Sequence, residues 1–290
     1  MKSYLQRPIS ITVTAILAIV LVYFLTVGFS GEKKTNADSQ LIVLMYHHID
    51  PKTSDATITP EQFKSHLQAL HDNGYNVVSM DKVLSFSRIK KNLPKKSVLI
   101  TFDDGYESFY KYAYPLLKEY NMVATNFIVV DSTDHPSPQA IPHLTWDEMR
   151  EMKQNGMSFY SHTYDQHKLA EVDQGGTKKP MLAYHLYVKD RSSAETNEEY
   201  KNRIKTDLSL AEKRLQEELG EQPHLLAFPY GAYNQTVIDI SKELGIEKTF
   251  ATTEGLNNLD DYVYHRVNAG SPYISANALM AKLKKLQETL

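Results

Sequence analysis

Ser97-Val98-Leu99-Ile100-Thr101-Phe102-Asp103-Asp104-Gly105-Tyr106 carries an apolar, β-branched run straight into two carboxylates and a glycine. Val, Ile and Thr suit a pleat covered on both faces, so the run reads as a buried strand. Neighbouring strand residues point to opposite faces, yet a turn at Gly105 would let Asp103 and Asp104 serve one cavity. The carboxyl end of a strand is where α/β proteins bind their ligands. The same two acids could equally cap the following helix, and this stretch alone leaves both readings open.

Working outward, the chain alternates strands with helices. Residues 41–46 read as a strand that ends at His47-His48. Thr59-Pro60-Glu61-Gln62 is a helix start, followed by Phe63, Leu67 and Leu70 at helical spacing. Residues 75–80 read as a strand and a short helix starts at Asp81. Beyond Gly105 a helix is predicted to about Tyr120, with Pro115 kinking or splitting it. Residues 124–130 read as a strand, 131–142 as a proline-rich loop, and 157–161 as a strand leading into His162. Residues 168–193 are irregular, whereas 196–219 form a helix with Tyr200, Ile204, Leu208, Ala211, Leu215 and Leu219 on one stripe. Strands at 225–228, 248–253 and 262–267 surround a helix at 234–244, and a last helix starts at Ser275. Eight strand candidates alternating with helices predict an α/β fold, an irregular (β/α)7-8 barrel, with an open doubly wound sheet as the alternative. No glycine-rich phosphate loop follows a strand, so no nucleotide is expected.

A formal charge of -3 over 290 residues gives no basic footprint for nucleic acid. The chain has no cysteine, which removes disulfides, thiolate nucleophiles and zinc–thiolate sites together. Any metal must be held by His and carboxylate. Lys2 and Arg7 precede a largely apolar run at 9–29, about the ~20 residues that span a bilayer. The expected organisation is a signal anchor or signal peptide at 1–31, a polar linker at 32–40 and one enzyme domain at 41–290. The domain is exported, membrane-anchored on the outer side, or secreted if the segment is cleaved near Gly28, Ser30 and Gly31.

Three strand ends carry groups for metal or proton chemistry: His47/His48, Asp103/Asp104, and His162 with His167 beyond it. On an ideal helix two residues five apart lie about 140° from each other. His162 and His167 could therefore converge only from a turn, and two unrelated surface histidines are the competing reading. With Asp104 they make a two-His, one-carboxylate set with an open position. Such a site acidifies a water and polarises a carbonyl, leaving Asp103 to take a proton and a histidine from another strand to give one. That is the equipment of metal-assisted amide or ester hydrolysis. Strand alternation lets only one of His47 and His48 enter the cavity.

Thr101-Phe102-Asp103-Asp104-Gly105 resembles the first motif of polysaccharide deacetylases, the NodB-homology domain of carbohydrate esterase family 4. Ser161-His162-Thr163-Tyr164-Asp165-Gln166-His167 resembles their second motif. Its five-residue histidine spacing is similar to that of the IcaB/PgaB poly-N-acetylglucosamine deacetylase branch. Ala227-Phe228-Pro229-Tyr230-Gly231 resembles the third motif, with Ala227 where most members have Arg, and Tyr46-His47 resembles the branch's permuted acid motif. The resemblance runs from about Leu41 to Val267.

It implies a NodB-type barrel in which Asp103 is the general base, His47 the general acid, and Asp104, His162 and His167 hold one divalent metal. Zinc is expected, with cobalt or nickel also suited to such donors. The Tyr230 backbone N–H would stabilise the oxyanion. Arg266 is a candidate to orient Asp103 in place of the missing Arg, against an ordinary salt bridge. Asp165 is either a support for the ligand histidines or a solvated turn residue. The implied substrate is an extracellular β-linked N-acetylglucosamine polymer, with release of acetate. The alternatives are peptidoglycan or chitin-like oligomers as substrate, or a catalytically silent, membrane-tethered polysaccharide-binding protein.

Overall fold

The structure is a computed structural model that describes residues 40–288. The segment expected at 1–31 and the linker up to Ser39 lie outside the described residues. Among the described residues no helix is long and apolar enough to cross a membrane.

Among the described residues nine strands form the main sheet: β1 (Ile42–Tyr46), β2 (Asn76–Val77), β3 (Ser97–Phe102), β4 (Thr125–Ile128), β5 (Ser158–Ser161), β6 (His224–Ala227), β7 (Ile246–Phe250), β8 (Val263–Tyr264) and β9 (Val267–Asn268). Their order is β8-β7-β6-β5-β4-β3-β1-β9, with β2 paired to the start of β3. All these pairings are parallel. The two end strands, β8 and β9, are separated in the chain only by His265 and Arg266. The sheet therefore curls round until its edges are consecutive pieces of backbone, an incompletely closed barrel as the alternation predicts.

Parallel strands are covered on both faces, and β3 shows it in its sequence. Val98, Ile100 and Phe102 pack outward with Phe63 and Leu67, Met149 and Met152, and Leu279 and Leu283. These partners belong to helices α1 (Pro60–Asp72), α5 (Trp146–Gln154) and α8 (Ala276–Glu288). Leu99 faces inward with Val43, Phe127, Tyr160, Leu225, Phe250 and Tyr264. Phe127 and Phe250 lie 4.8 Å apart although β4 and β7 are not neighbours, so their contact crosses the barrel interior. Among the remaining helices are α2 (Met80–Arg88), α3 (Tyr114–Glu119), α4 (Val130–Asp134), α6 (Asn197–Leu219) and α7 (Gln235–Glu243). Capping boxes at Thr145/Glu148 and Thr196/Glu199 start α5 and α6.

Several expectations are corrected. The strand expected at 75–80 is only Asn76–Val77, because Ser79 caps α2 and Met80 is already helical. The helix expected after Gly105 splits as Pro115 requires: a π-helical turn at Phe109–Ala113 gives way to α3 with the proline in its first turn. The loop expected at 131–142 begins as α4, and its prolines follow that turn. Residues 168–193 are largely ordered, in two antiparallel pairs, Leu169–Glu171 with Lys178–Pro180 and Tyr187–Val188 with Ser193–Ala194. The strand expected at 248–253 starts earlier, at Ile246, and that at 262–267 divides at His265-Arg266 into β8 and β9.

Candidate active site

The strand β3 delivers Asp103 in register, since its N–H donates to the Tyr46 carbonyl at 2.9 Å. The chain then turns sharply. Asp104 and Gly105 both have positive φ, 73° and 76°, and a Cβ on Gly105 would stand 3.0 Å from Ile128 Cδ1. A non-glycine residue in that region is strained, and this strain brings the two neighbouring carboxylates toward one cavity. Neither acid caps a helix: the next helical turn starts at Ser108 without a side-chain cap.

Asp103 is gripped by Arg266, whose Nη1 and Nη2 donate to its two oxygens at 2.7 Å each. Arg266 is wholly buried and its Nε donates to the Ala251 carbonyl. It enters from the seam between β8 and β9, so the ordinary-salt-bridge reading gives way to a buried fork on a single carboxylate. Burial by itself would raise the Asp103 pKa. The Arg266 guanidinium, aided by His162 and His47, overrides that and holds the carboxyl well below the usual range.

His162 follows directly on β5 and is buried. Its Nδ1 lies 2.8 Å from the Ala227 carbonyl, an acceptor, so Nδ1 carries the proton. Burial pushes its pKa down to about 4, against a partly opposing effect of Asp103. The neutral ring thus turns the Nε2 lone pair toward Asp104 Oδ1, 3.5 Å away. His167 Nε2 lies 3.2 Å from the same oxygen. The three donor atoms fall within 4.8 Å of one another.

Asp104 Oδ1 is buried and has no hydrogen-bond donor, although Tyr106 gives the Asp104 carboxylate a hydroxyl hydrogen bond. A carboxylate oxygen facing an imidazole lone pair is repulsive between protein groups alone, and a shared cation resolves it. The residues therefore fit a divalent metal with His/carboxylate donors.

Around this set, His47 Nε2 lies 4.0 Å from Asp103 Oδ2. His48 turns the other way: Nδ1 lies 2.8 Å from Ser108 Oγ and Nε2 4.0 Å from Asp50. Tyr230 has φ 58° in a tight turn and stacks on His167 with ring centres 4.6 Å apart. A Cβ on the following residue, Gly231, would collide with the Thr252 side chain. The Asp165 carboxylate pairs with Lys168 at the surface. The sequence reading missed Tyr106, which follows the Asp-Asp-Gly turn directly and lies between His48 and His143, each ring centre 5.0 Å away. Its adjacency to the motif was the available signal.

A family model described as polysaccharide deacetylase matches residues 90–249, a span that includes the Asp103-Asp104 turn, His162, His167 and Tyr230. YxkH of Bacillus subtilis, named for the same family, is 30% identical over 256 residues, covering 88% of this chain and 80% of that protein. The poly-beta-1,6-N-acetyl-D-glucosamine N-deacetylase of Escherichia coli K12 is 27% identical over 231 residues. Those residues are 75% of this chain but only 34% of the E. coli protein. Among solved structures, a de-N-acetylase from Aggregatibacter actinomycetemcomitans superposes with a TM-score of 0.78 at 30% identity, covering 83% of this chain and 99% of that one. The curled barrel is thus that of a NodB-type hydrolase acting on carbon–nitrogen bonds. The chain belongs to the polysaccharide deacetylase family.

Proposed function

We propose that the protein is an exported, metal-dependent enzyme that N-deacetylates a β-linked N-acetylglucosamine polymer of the poly-β-1,6 type. One observation carries the chemistry: a carboxylate locked by a buried arginine stands next to a carboxylate that shares its space with two imidazole nitrogens. The substrate class rests on the E. coli relative's name. Export rests on the apolar run at 9–29 behind Lys2 and Arg7.

Asp104, His162 and His167 would hold the metal, which supplies Lewis acidity to an acetamide carbonyl and to a water. Asp103, kept ionised by Arg266, accepts the proton that the attacking water releases. Arg266 takes both oxygens in its fork and so fixes the direction from which the carboxylate works. The Tyr230 amide donates to the oxygen that gains charge as the carbonyl becomes tetrahedral. His47, whose Nε2 lies 4.0 Å from Asp103 Oδ2, gives a proton to the departing nitrogen as the C–N bond breaks. The water oxygen joins the acetyl carbon, so acetic acid and an amine result. The acid's proton passes to the amine near neutral pH, and the proton taken by Asp103 makes good the one given by His47.

The decisive experiment measures acetate release from poly-β-1,6-N-acetylglucosamine, peptidoglycan and chitin oligomers, with chelated protein and Asp103→Asn as controls. Release from the β-1,6 polymer alone, lost in both controls, is expected. Release from peptidoglycan or chitin instead would reassign the substrate, and activity that survives both controls would overturn the mechanism. Polymer binding without any release would make the protein a tethered binding module.

A further inference from the structure

The turn between the two ligand histidines is short, strained and held almost entirely from outside. Thr163, β-branched and fully buried, sits at φ 73°, a conformation such residues avoid. Within the turn, the Thr163 N–H donates to Ser161 Oγ and the Gln166 N–H donates to Thr163 Oγ1. The Thr163 and Tyr164 carbonyls accept from the N–H groups of Val130 and Asp131 at the start of α4. The N–H groups of Tyr164 and Asp165 remain, and both are answered by a single side chain. Asp207, in the middle of α6, accepts the first on Oδ1 at 2.9 Å and the second on Oδ2 at 2.8 Å.

Asp207 lies on the buried stripe of α6 between Ile204 and Leu208. An isolated carboxylate there would be costly; here each oxygen has one backbone donor. One helical turn earlier on the same face, Arg203 donates Nη1 to Gln166 Oε1 and to the Met181 carbonyl. Its Nε and Nη2 are tied to Glu195. Residues 164, 165 and 166 are therefore each fixed by α6, and the next residue is His167. His162 is held separately, by Ala227. The two ligands thus have independent supports: a strand for one and a helix for the other.

We propose that Asp207, assisted by Arg203, is the positioning residue for His167, setting the turn so that Nε2 arrives beside Asp104 Oδ1 and the metal set closes. The inference rests on the metal reading given above. It follows that a change on α6, which supplies no ligand, weakens metal binding through one histidine only.

The test uses the full chain, stripped with chelator and titrated with Co(II), reading affinity by chelator competition and coordination by the visible absorption of the bound ion. Wild type, Asp207→Leu, Asp207→Asn, Arg203→Met and His167→Ala are compared, each with its thermal midpoint. Loss of an outer partner of a metal ligand weakens binding about 10- to 100-fold, and that is expected for Asp207→Leu, with a spectrum moving toward that of His167→Ala. Asp207→Asn keeps one of two acceptors and falls between. Arg203→Met, which spares both backbone bonds, gives a smaller loss in the same direction and serves if Asp207→Leu fails to fold. Variants that melt earlier but bind Co(II) with wild-type affinity and spectrum would make Asp207 merely structural and overturn the proposal. Wild type that binds no Co(II) at all would overturn the metal reading itself.

Discussion

Asp103 and Asp104 are adjacent in the chain and both buried, yet their electrostatic surroundings differ. Asp103 has both oxygens answered by one guanidinium, while Asp104 presents an oxygen without a donor to two imidazole nitrogens. The first is complete within the protein; the second has a donor set that a cation could complete. A third buried carboxylate shows what burial does unaided. Glu212 on α6 has an oxygen with no partner, and burial pushes its pKa up to about 8. Set beside it, Asp103 shows that a forked arginine reverses the sign of the burial effect. Adjacent acids thus acquire different chemistry from what approaches each of them, not from their own composition.

The sharpest way to break the comparison is Asp103→Asn. Removing a proton acceptor costs about 10²- to 10⁴-fold in turnover, while metal content, measured by elemental analysis, stays at the wild-type level. A variant that loses its metal as well would show that the two carboxylates act as one unit. Next comes Arg266→Met, which leaves a buried charge without its partner. Denaturant unfolding should record a loss of about 3–5 kcal/mol, and a loss under 1 kcal/mol would mean that water or another cation compensates.

Glu212 supplies the pH contrast. Its pKa is about 8 in the folded protein against an ordinary 4.5, so the folded state binds the extra proton between those values. The stabilising contribution is fully present below about pH 4.5, falls as pH rises, and is gone above about pH 8. The slope approaches about 1.4 kcal/mol per pH unit in mid-window. Glu212→Gln should flatten the fall in melting temperature between pH 5 and about 8 relative to wild type; parallel curves would refute the assignment. His224 Nε2 lies 4.0 Å from Glu212 Oε2, so His224→Gln belongs beside it as a control.

The smallest effect has the opposite sign. In chelated protein, Asp104→Asn exchanges a repelled carboxylate for an amide that can donate to the facing imidazoles. A gain of about 0.5–1.5 kcal/mol is expected, accompanied by loss of metal binding. A loss of stability instead would show that the Tyr106 hydroxyl depends on the full carboxylate charge.

Much of this was legible in residue order. The run 97–102 announces a buried strand because it is apolar without interruption, and the abrupt pair of acids marks its functional end. His162 and His167 could be joined to Asp104 only by chemistry, since neither spacing nor periodicity shows a turn held by Thr163 at positive φ. Arg266 was visible only as a weak candidate: its partner lies 163 positions away, and the contact exists because the sheet curls until its edges meet. The short strands in 168–194 escaped because pairs of two or three residues carry no alternation to read. Asp207 was hidden by its own setting, an acid among the apolar residues of α6, where the expected stripe passed over it.

The seam between β8 and β9 also bears on how the molecule holds together. Arg266, which the seam presents, lies 163 positions after the carboxylate it holds. Its Nε also donates to the Ala251 carbonyl just beyond β7. Without it Asp103 would carry a buried charge that a dry interior accommodates poorly. The same side chain therefore ties both edges of the curled sheet to β3, so that closing the barrel and orienting Asp103 are one linked equilibrium.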